Sequence, residues 1–189
     1  MQRGSCSALL ILQLGFLAVT PAHAGWDPRE QDQREQEALA TIDQLKEADP
    51  DLDAFFDSAY GYAVFPTVSK AGMGMGGAYG KGVVFQIGLI RAMAPSVIGY
   101  TSLTQVSIGL QMGAQTYSEI IFFKDKEALD RFTQGNFELG AQASAVAVTA
   151  GAGANADYSN GVAIFTLAKG GLMYEASVGG QKFNYEPLK

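Results

Sequence analysis

The sequence predicts an α+β domain: a glycine-rich curved antiparallel sheet, or partial barrel, with a few helices packed against it. Two observations support this fold class. Charged segments with helical spacing of apolar residues occupy residues 25–59 and the region around residue 130. The rest of the chain consists of short apolar stretches separated by glycines, a pattern typical of consecutive antiparallel strands joined by turns.

The helices are predicted from their capping residues and apolar stripes. Asp27 can cap a first helix, in which Pro28 and Glu30 fit the first turn and a capping box. Asp49-Pro50 ends that helix and begins a second, and Asp125 caps a third that Gly135 closes. The side chains expected to face the core are Leu39, Ile42 and Leu45 in the first helix, Leu52, Phe55, Phe56 and Ala59 in the second, and Leu129 and Phe132 in the third.

The strands are predicted between these helices and after them. Pro66 is expected to end a first strand, and the pairs Gly170-Gly171 and Gly179-Gly180 are expected to be turns. Small residues alternate over 137–147, which predicts a strand that packs closely. The other predicted strands are 60–66, 83–90, 97–112, 119–123, 161–168, 171–179 and 181–186.

Residues 1–24 are predicted to be a secretory signal peptide. Arg3 precedes an apolar run over 8–19, and Ala22-His23-Ala24 fits a cleavage site after Ala24. The run is about 12 residues long, whereas a membrane-spanning helix needs about 20. We expect an exported protein, periplasmic or associated with the cell envelope, in which residues 25–189 form a single domain.

Cleavage after Ala24 would remove the sole histidine, His23, and the sole cysteine, Cys6. The remaining chain then lacks the residues of His or Cys metal sites and of Ser-His or Cys-His nucleophile pairs. We therefore expect no enzyme activity, no catalytic residues, no metal and no cofactor, and a binding role is favoured. A buried Glu119 or Asp157 with a raised pKa beside a pocket would instead favour an enzyme.

The charge distribution disfavours one class of ligand and draws attention to one stretch. Residues 25–189 hold 19 acidic and 12 basic residues, which disfavours nucleic-acid binding. Residues 58–118 contain no acid and three bases, Lys70, Lys81 and Arg91. Sheet interior and glycine turns would explain this, because charges are rare there. A surface kept free of negative charge for an anionic ligand would also explain it.

Two motifs in the sequence do not support the chemistry that they suggest. Gly72, Gly74 and Gly77 fit G-x-G-x-x-G, but neither a helix nor a suitably spaced acid follows, so a dinucleotide site is not predicted. The alternate glycines are expected to let another layer or a ligand approach the strand. The acids of 49–53 resemble a calcium loop, but they lack its glycine and its final glutamate.

Four ordered blocks of sequence resemble the SYLF (Ysc84) family over about Leu39 to Pro187. The first block is GYAVFPTVSKAG at 61–72 and the second is GMGGAYGKGV at 74–83. The others are GLQMGAQTY at 109–117 and GLMYEASVGGQKF at 171–183. The resemblance implies lipid binding, with Lys70 and Lys81 in the glycine-rich motifs. Eukaryotic members bind phosphoinositides partly through a basic N-terminal helix, and some act on actin. The acidic helix here disfavours that docking mode, and actin is not expected as a partner.

The resulting hypothesis is an exported, non-catalytic lipid- or phospholipid-binding protein of the cell envelope. Its expected partner is a phospholipid or another anionic amphiphile, with a membrane surface as a possible site of action. The head-group phosphate or carboxylate is expected to meet Lys70, Lys81, Arg91 and Lys169. The alternative hypothesis is a structural or self-associating envelope module that pairs through its small-residue strands.

Overall fold

The computed structural model describes residues 28–88, 94–135, 137–139 and 145–188. It confirms the predicted α+β class, with a sheet that is strongly curled into a half-barrel. The predicted signal peptide and Arg91 lie outside the described residues. The helices are α1 (Pro28–Ala48), α2 (Asp53–Ser58) and α3 (Lys126–Thr133), and the strands are β1 (Gly61–Gln86), β2 (Ser96–Phe123), β3 (Phe137–Leu139), β4 (Val146–Ala147) and β5 (Val162–Pro187).

Three long antiparallel strands form most of the sheet. The strand order is β1-β2-β5-β3, and β4 pairs with β5 in parallel. β1 pairs with β2 from Gly61↔Phe123 to Gln86↔Ser96, and β2 pairs with β5 from Gly99↔Pro187 to Phe123↔Val162. A straight strand of this length would extend about 85 Å, so the curl of the sheet is what brings its distant parts together.

β1 doubles back on itself around Gly74. A Cβ placed on Gly82 would lie 2.6 Å from the carbonyl oxygen of Val64, and one on Gly80 would lie 2.8 Å from Val68 Cγ2. The second half of β1 therefore packs directly against the first half, at positions where only glycine fits. Gly74 itself has φ 74°, in the left-handed region that favours glycine, and the β1–β2 register shifts beside it.

A buried glutamine fastens this bend from the inside. Gln111 Nε2 donates to the carbonyl oxygens of Ser107 at 3.0 Å and Gly74 at 3.4 Å. The hydroxyl of Ser107 donates to Gln111 Oε1 at 2.8 Å. A Cβ on Gly76 would lie only 2.4 Å from Gln111 Oε1. Of the G-x-G-x-x-G glycines, Gly72 makes room for close packing as expected, whereas an added Cβ would meet nothing within 4 Å at Gly74 and only an ordinary contact at Gly77.

The two faces of the sheet carry two hydrophobic cores. The face covered by α1 and α2 includes Leu45, Phe55, Tyr62 and Phe122. The opposite face is enclosed by the curled sheet and closed by α3, with Phe132 among its residues. Aromatic rings meet across this enclosed core, since Phe65 and Phe183 lie 5.7 Å apart, and Phe132 and Phe183 lie 5.4 Å apart. The predicted core-facing residues of α3, Leu129 and Phe132, are confirmed as buried.

Asp49 connects the helices to the loop before β5. The carboxylate is buried and accepts hydrogen bonds from the backbone N–H of Gly153 at 2.6 Å and Gly151 at 3.1 Å, and from Asp51 at 3.2 Å. Burial acts to raise the pKa of Asp49, but these backbone donors outweigh it and hold the pKa below its ordinary value. The residue therefore has a structural role at a helix start, as predicted, and also ties down a distant loop.

Several predicted strand boundaries are wrong, for a common reason. The three strands predicted over 161–186 are one strand, β5, which passes through both glycine pairs. Gly179 is not in a turn there: a Cβ on it would lie 2.7 Å from Val106 O, so close packing requires the glycine. Pro66 lies within β1, at the register shift between Phe65 and Val68, where a missing N–H is tolerated. Of the strand predicted at 137–147, β3 and β4 are seen and 140–144 lie outside the described residues.

Candidate functional site

The bend of the sheet carries a group of exposed apolar side chains, here called the tip. The relative exposure of these side chains ranges from 58% to 81%, although apolar side chains of this size are normally buried. They occupy facing positions, because Met73 is in register with Met112 and Met75 with Ile108. The tip consists of Met73, Met75, Val106, Ile108, Leu110 and Met112.

The tip is apolar, and the two strands that form it, β1 and β2, carry no acidic side chain near it. No acidic residue occurs from residue 58 to residue 118, which includes all of β1 and the part of β2 that forms the tip. On β5, backbone register places Tyr174 opposite Met112 and Glu175 opposite Gln111. Grouped exposed apolar residues of this kind mark a surface that meets another molecule or a membrane.

A cavity of about 510 Å³ lies inside the half-barrel, on the same face of the sheet as the enclosed core. Its walls come from both halves of the folded sheet: Gln115, Tyr117 and Glu119 lie toward one end of β2, and Gln105 lies beyond the bend. Residues of β5, β3 and β4 line the remaining walls. A volume of this size is in the range of ligand pockets, which is about 300–1,000 Å³.

Glu119 is the most unusual residue of the cavity wall. It is fully buried, and its Oε2 accepts a hydrogen bond from Gln181 Nε2 at 3.0 Å. Its Oε1 has no hydrogen-bond partner within the described part of the chain. Burial raises the pKa of Glu119 to about 7, although the Gln181 hydrogen bond and the charge of Lys70 act in the opposite direction. A carboxyl group that changes charge near neutral pH therefore borders the cavity.

The cavity continues toward the tip. A second depression of about 530 Å³ shares Lys70, Gln105 and Gln115 with the cavity. Its other walls are mostly small or apolar, and it reaches Val106, a residue of the tip. The two hollows therefore adjoin at these three residues, and the second hollow includes Val106 of the tip in its lining.

Comparison with known proteins finds a family match over part of the chain. Residues 104–186, which include the β2 half of the tip and the Glu119 wall, match the family model Ysc84, described as Las17-binding protein actin regulator. This family is also called SYLF, and the match covers 83 of the 189 residues of the chain. It is also similar to Beta cell expansion factor A of Aeromonas veronii, with 29% identity over 136 residues. That match covers 71% of this chain and 49% of the relative, so the chain spans about half the length of that protein.

The four SYLF blocks seen in the sequence occupy the long strands. The first two form the two halves of β1, on either side of Gly74, and the third forms the part of β2 from Gly109 to Tyr117. The fourth lies within β5. In this chain several glycines of these blocks, among them Gly72, Gly80 and Gly82, lie where strands approach closely, and the blocks contribute to both the tip and the cavity.

The structure places the predicted lipid-binding residues at two separate locations. Lys70 is buried in the cavity wall, where it already makes a polar interaction. Lys81 and Lys169 are exposed and lie beside the same residue, Thr67. Lys81 Nζ also pairs with Glu30 Oε1 at 3.0 Å, which links β1 to α1. Arg91 lies outside the described residues. The structure thus leaves Lys81 and Lys169 exposed, whereas Lys70 is buried in the cavity wall.

The exposed tip and the hydrogen bond between Gln181 and Glu119 were not predicted from the sequence. Ile108, Leu110 and Met112 alternate with other residues, which identifies one face of a strand but not whether that face is covered. The signal that could have revealed the tip is the glycine spacing around Met73 and Met75, because it marks a bend. Gln181 lies in a strand, β5, as the predicted strand 181–186 requires, but nothing in the sequence indicates that it binds Glu119.

Neither a membrane-spanning helix nor a metal site is found among the described residues. Among the helices that the structure describes, none has both the length and the apolar character needed to cross a membrane. Over the same described ranges, no three His, Cys, Asp or Glu residues come together in a way that would hold a metal ion.

Proposed function

We propose that this SYLF protein is an exported, non-catalytic lipid-binding protein of the cell envelope that docks on phospholipid membranes through its tip. The observation that carries the proposal is the group of six exposed apolar side chains at the bend of the sheet. The match of residues 104–186 to the SYLF (Ysc84) family model supports it, since the resemblance to SYLF proteins implies lipid binding. Export rests on the signal peptide predicted from residues 1–24.

The size of the apolar contribution can be worked out from the exposure. Full burial of a Met, Leu or Ile side chain is worth about 1.5–3 kcal/mol. Because the tip side chains are roughly two-thirds exposed, each would gain about 1–2 kcal/mol on entering the acyl region of a bilayer. Six such side chains together exceed the lower estimates for the entropic cost of association, which begin at about 4 kcal/mol. The tip is therefore sufficient for measurable membrane binding.

The charge pattern favours a membrane as the occupant of the tip. Acidic side chains would be repelled by anionic lipids, and β1 and the tip region of β2 contain none. Two exposed cations, Lys81 and Lys169, add an attraction to anionic head groups. Tyr79, which is exposed on β1 and in register with Thr104, has the amphipathic character typical of residues at a membrane interface.

Vesicle flotation tests the proposal. The protein, beginning at Gly25, is mixed with vesicles of phosphatidylcholine alone or of phosphatidylcholine with phosphatidylglycerol. We expect the unaltered protein to float with both. The double variant Leu110→Ser with Met112→Ser should reduce partitioning about 100-fold, because two side chains worth about 1.4 kcal/mol each are lost. The matched control is Leu39→Ser with Leu188→Ser, which removes exposed apolar residues outside the tip and should leave flotation unchanged.

The same variants distinguish the alternative of self-association. Sedimentation velocity in the absence of lipid measures the oligomeric state of each protein. If the unaltered protein forms oligomers that the tip variant dissolves, and neither protein floats, the tip is a contact between copies of the chain and the membrane proposal is wrong. A monomer that floats only with its tip intact supports the proposal.

One observation favours a second candidate function, catalysis by a carboxyl group. Glu119 is buried beside a cavity with its pKa raised to about 7, a typical property of general acids and bases. Asp157, the other residue named in the sequence analysis, is exposed. Incubation with phospholipid followed by mass spectrometry decides between the two functions. Release of fatty acid or head group by the unaltered protein but not by Glu119→Gln would establish an enzyme and overturn the non-catalytic proposal.

A further inference from the structure

The polar wall of the cavity is not explained by membrane docking through the tip. A half-barrel filled only for stability would carry apolar side chains inside, because a buried polar group without a partner costs free energy. Here the wall carries three glutamines, Gln105, Gln115 and Gln181, together with Thr166 and Glu119. Buried polar groups that converge on an open volume are typical of ligand sites.

Glu119 shows what the ligand must provide. Oε2 is satisfied by Gln181, whereas Oε1 is buried and has no partner in the part of the chain that the structure describes. A carboxyl oxygen in this position needs a hydrogen-bond donor. The space that Glu119 borders is the cavity, where a bound molecule can supply such a donor.

The neighbouring side chains narrow the chemistry of that donor. Gln105 and Gln115 each offer one acceptor and two donors, and their side chains form no hydrogen bond within the described ranges. Adjacent hydroxyl groups match such a wall, since each hydroxyl both donates and accepts. A quaternary ammonium group does not match it, because it has no N–H to donate to Glu119. A hydroxyl also suits the carboxyl group in either protonation state.

The rest of the wall indicates that the ligand is amphiphilic. Leu139, Val148 and Ala168 line the cavity beside the polar residues. The adjoining depression leads past Ala78 and Ala114 to Val106 at the tip. An apolar chain can therefore extend from the polar wall toward the surface that is proposed to enter the membrane.

We infer that the cavity binds the hydroxyl-bearing head group of an amphiphile, a polyol or sugar, with one hydroxyl donating to Glu119 Oε1. The apolar chain of the amphiphile runs along the depression toward the tip. The inference rests on the proposed function for the identity of the ligand as a lipid. It adds the head-group class and the residues that recognise it.

The test compares two detergents that share a dodecyl chain and differ in head group. Dodecyl maltoside carries hydroxyl groups, and dodecylphosphocholine carries no hydrogen-bond donor. Binding to the full chain is measured by calorimetry below the critical micelle concentrations. We expect the unaltered protein to prefer the maltoside by about tenfold, a typical effect of one hydrogen bond to a charged group. Glu119→Met, which keeps the side-chain length and removes the acceptor, should abolish the preference and leave dodecylphosphocholine binding unchanged.

Two further measurements keep the outcome decisive. If circular dichroism shows that Glu119→Met is unfolded, Gln115→Leu replaces it, because that side chain lies at the cavity wall and is only partly buried. Equal affinity of the unaltered protein for both detergents, or a preference that survives in the folded variant, overturns the inference. Free maltose that binds as tightly as dodecyl maltoside also overturns it, since the ligand would then be a soluble polyol.

Failure of this inference is distinguishable from failure of the proposed function. The cavity variants leave the tip intact, so they should still float with vesicles. The tip variant Leu110→Ser with Met112→Ser should weaken binding of both detergents equally and preserve the preference between them. Detergent selectivity without flotation would support the cavity site and remove the membrane-docking proposal, and flotation without selectivity would do the reverse.

Discussion

Glu119 should make the protein less stable as the pH rises toward neutrality. The pKa of this carboxyl group is about 7 in the folded protein, compared with the ordinary value of 4.5. The folded state therefore holds the proton over a range of pH in which the unfolded state has released it. The stabilisation is fully present below about pH 4.5 and is lost as the pH rises to about 7. At about 1.4 kcal/mol per pKa unit, the difference of about 2.5 units corresponds to about 3 kcal/mol.

Urea unfolding of the unaltered protein and of Glu119→Gln at about pH 4.5 and about pH 8 measures this effect. Glutamine keeps an acceptor for Gln181 and does not titrate, so the other titrating groups cancel in the difference between the two proteins. We expect the free energy of unfolding of the variant, relative to the unaltered protein, to rise by about 3 kcal/mol between the two pH values. The control is Glu138→Gln, since Glu138 is exposed and pairs only loosely with Lys182. A relative stability of Glu119→Gln that is the same at both pH values would refute the reasoning.

Two other substitutions test how the fold is held together. Gly82→Ala should lower the free energy of unfolding by about 2–3 kcal/mol in urea denaturation, because the added Cβ would lie 2.6 Å from Val64 O. The control, Gly170→Ala, places its Cβ in open space and should leave the free energy of unfolding nearly unchanged. Equal effects of the two substitutions would show that β1 does not double back on itself. Asp49→Ala should lower the free energy of unfolding by about 3 kcal/mol, because the backbone N–H groups of Gly151 and Gly153 lose a charged acceptor. Proteolysis near Gly151 should increase as well. A thermal midpoint equal to that of the unaltered protein would show that the loop is held in another way.

The sequence was sufficient to predict the class of fold and most of the helices because the signals are local. Asp125 caps α3 by accepting a hydrogen bond from the N–H of Ala128 at 2.8 Å, and this contact spans only three residues. The apolar stripe that buries Leu45 on α1 likewise repeats within one helical turn. Such features depend on spacing along the chain, so they can be seen without knowledge of the tertiary structure.

The strand boundaries and the site could not be predicted, because they depend on contacts between distant residues. A glycine pair is found in turns and also wherever one strand crosses closely over another, and the sequence does not distinguish these cases. Gly179 needs to be glycine because of Val106, which is far away in the chain. The hydrogen bond between Gln181 and Glu119 joins residues 62 positions apart. The charge of Lys70 suggested a surface contact with lipid, whereas the curl of the sheet places it inside.

The stretch without acids, residues 58–118, has two causes that operate in different places. At Gly80 and Gly82 and at the buried Phe65, close packing excludes any charged side chain, which accounts for much of the stretch without reference to a ligand. At the tip this explanation fails, because Met73 and Leu110 are exposed and space does not exclude a carboxylate there. A carboxylate at an exposed apolar tip would disfavour contact with an apolar or anionic phase. The absence of acids from β1 and from the tip region of β2 therefore supports a lipid-facing tip.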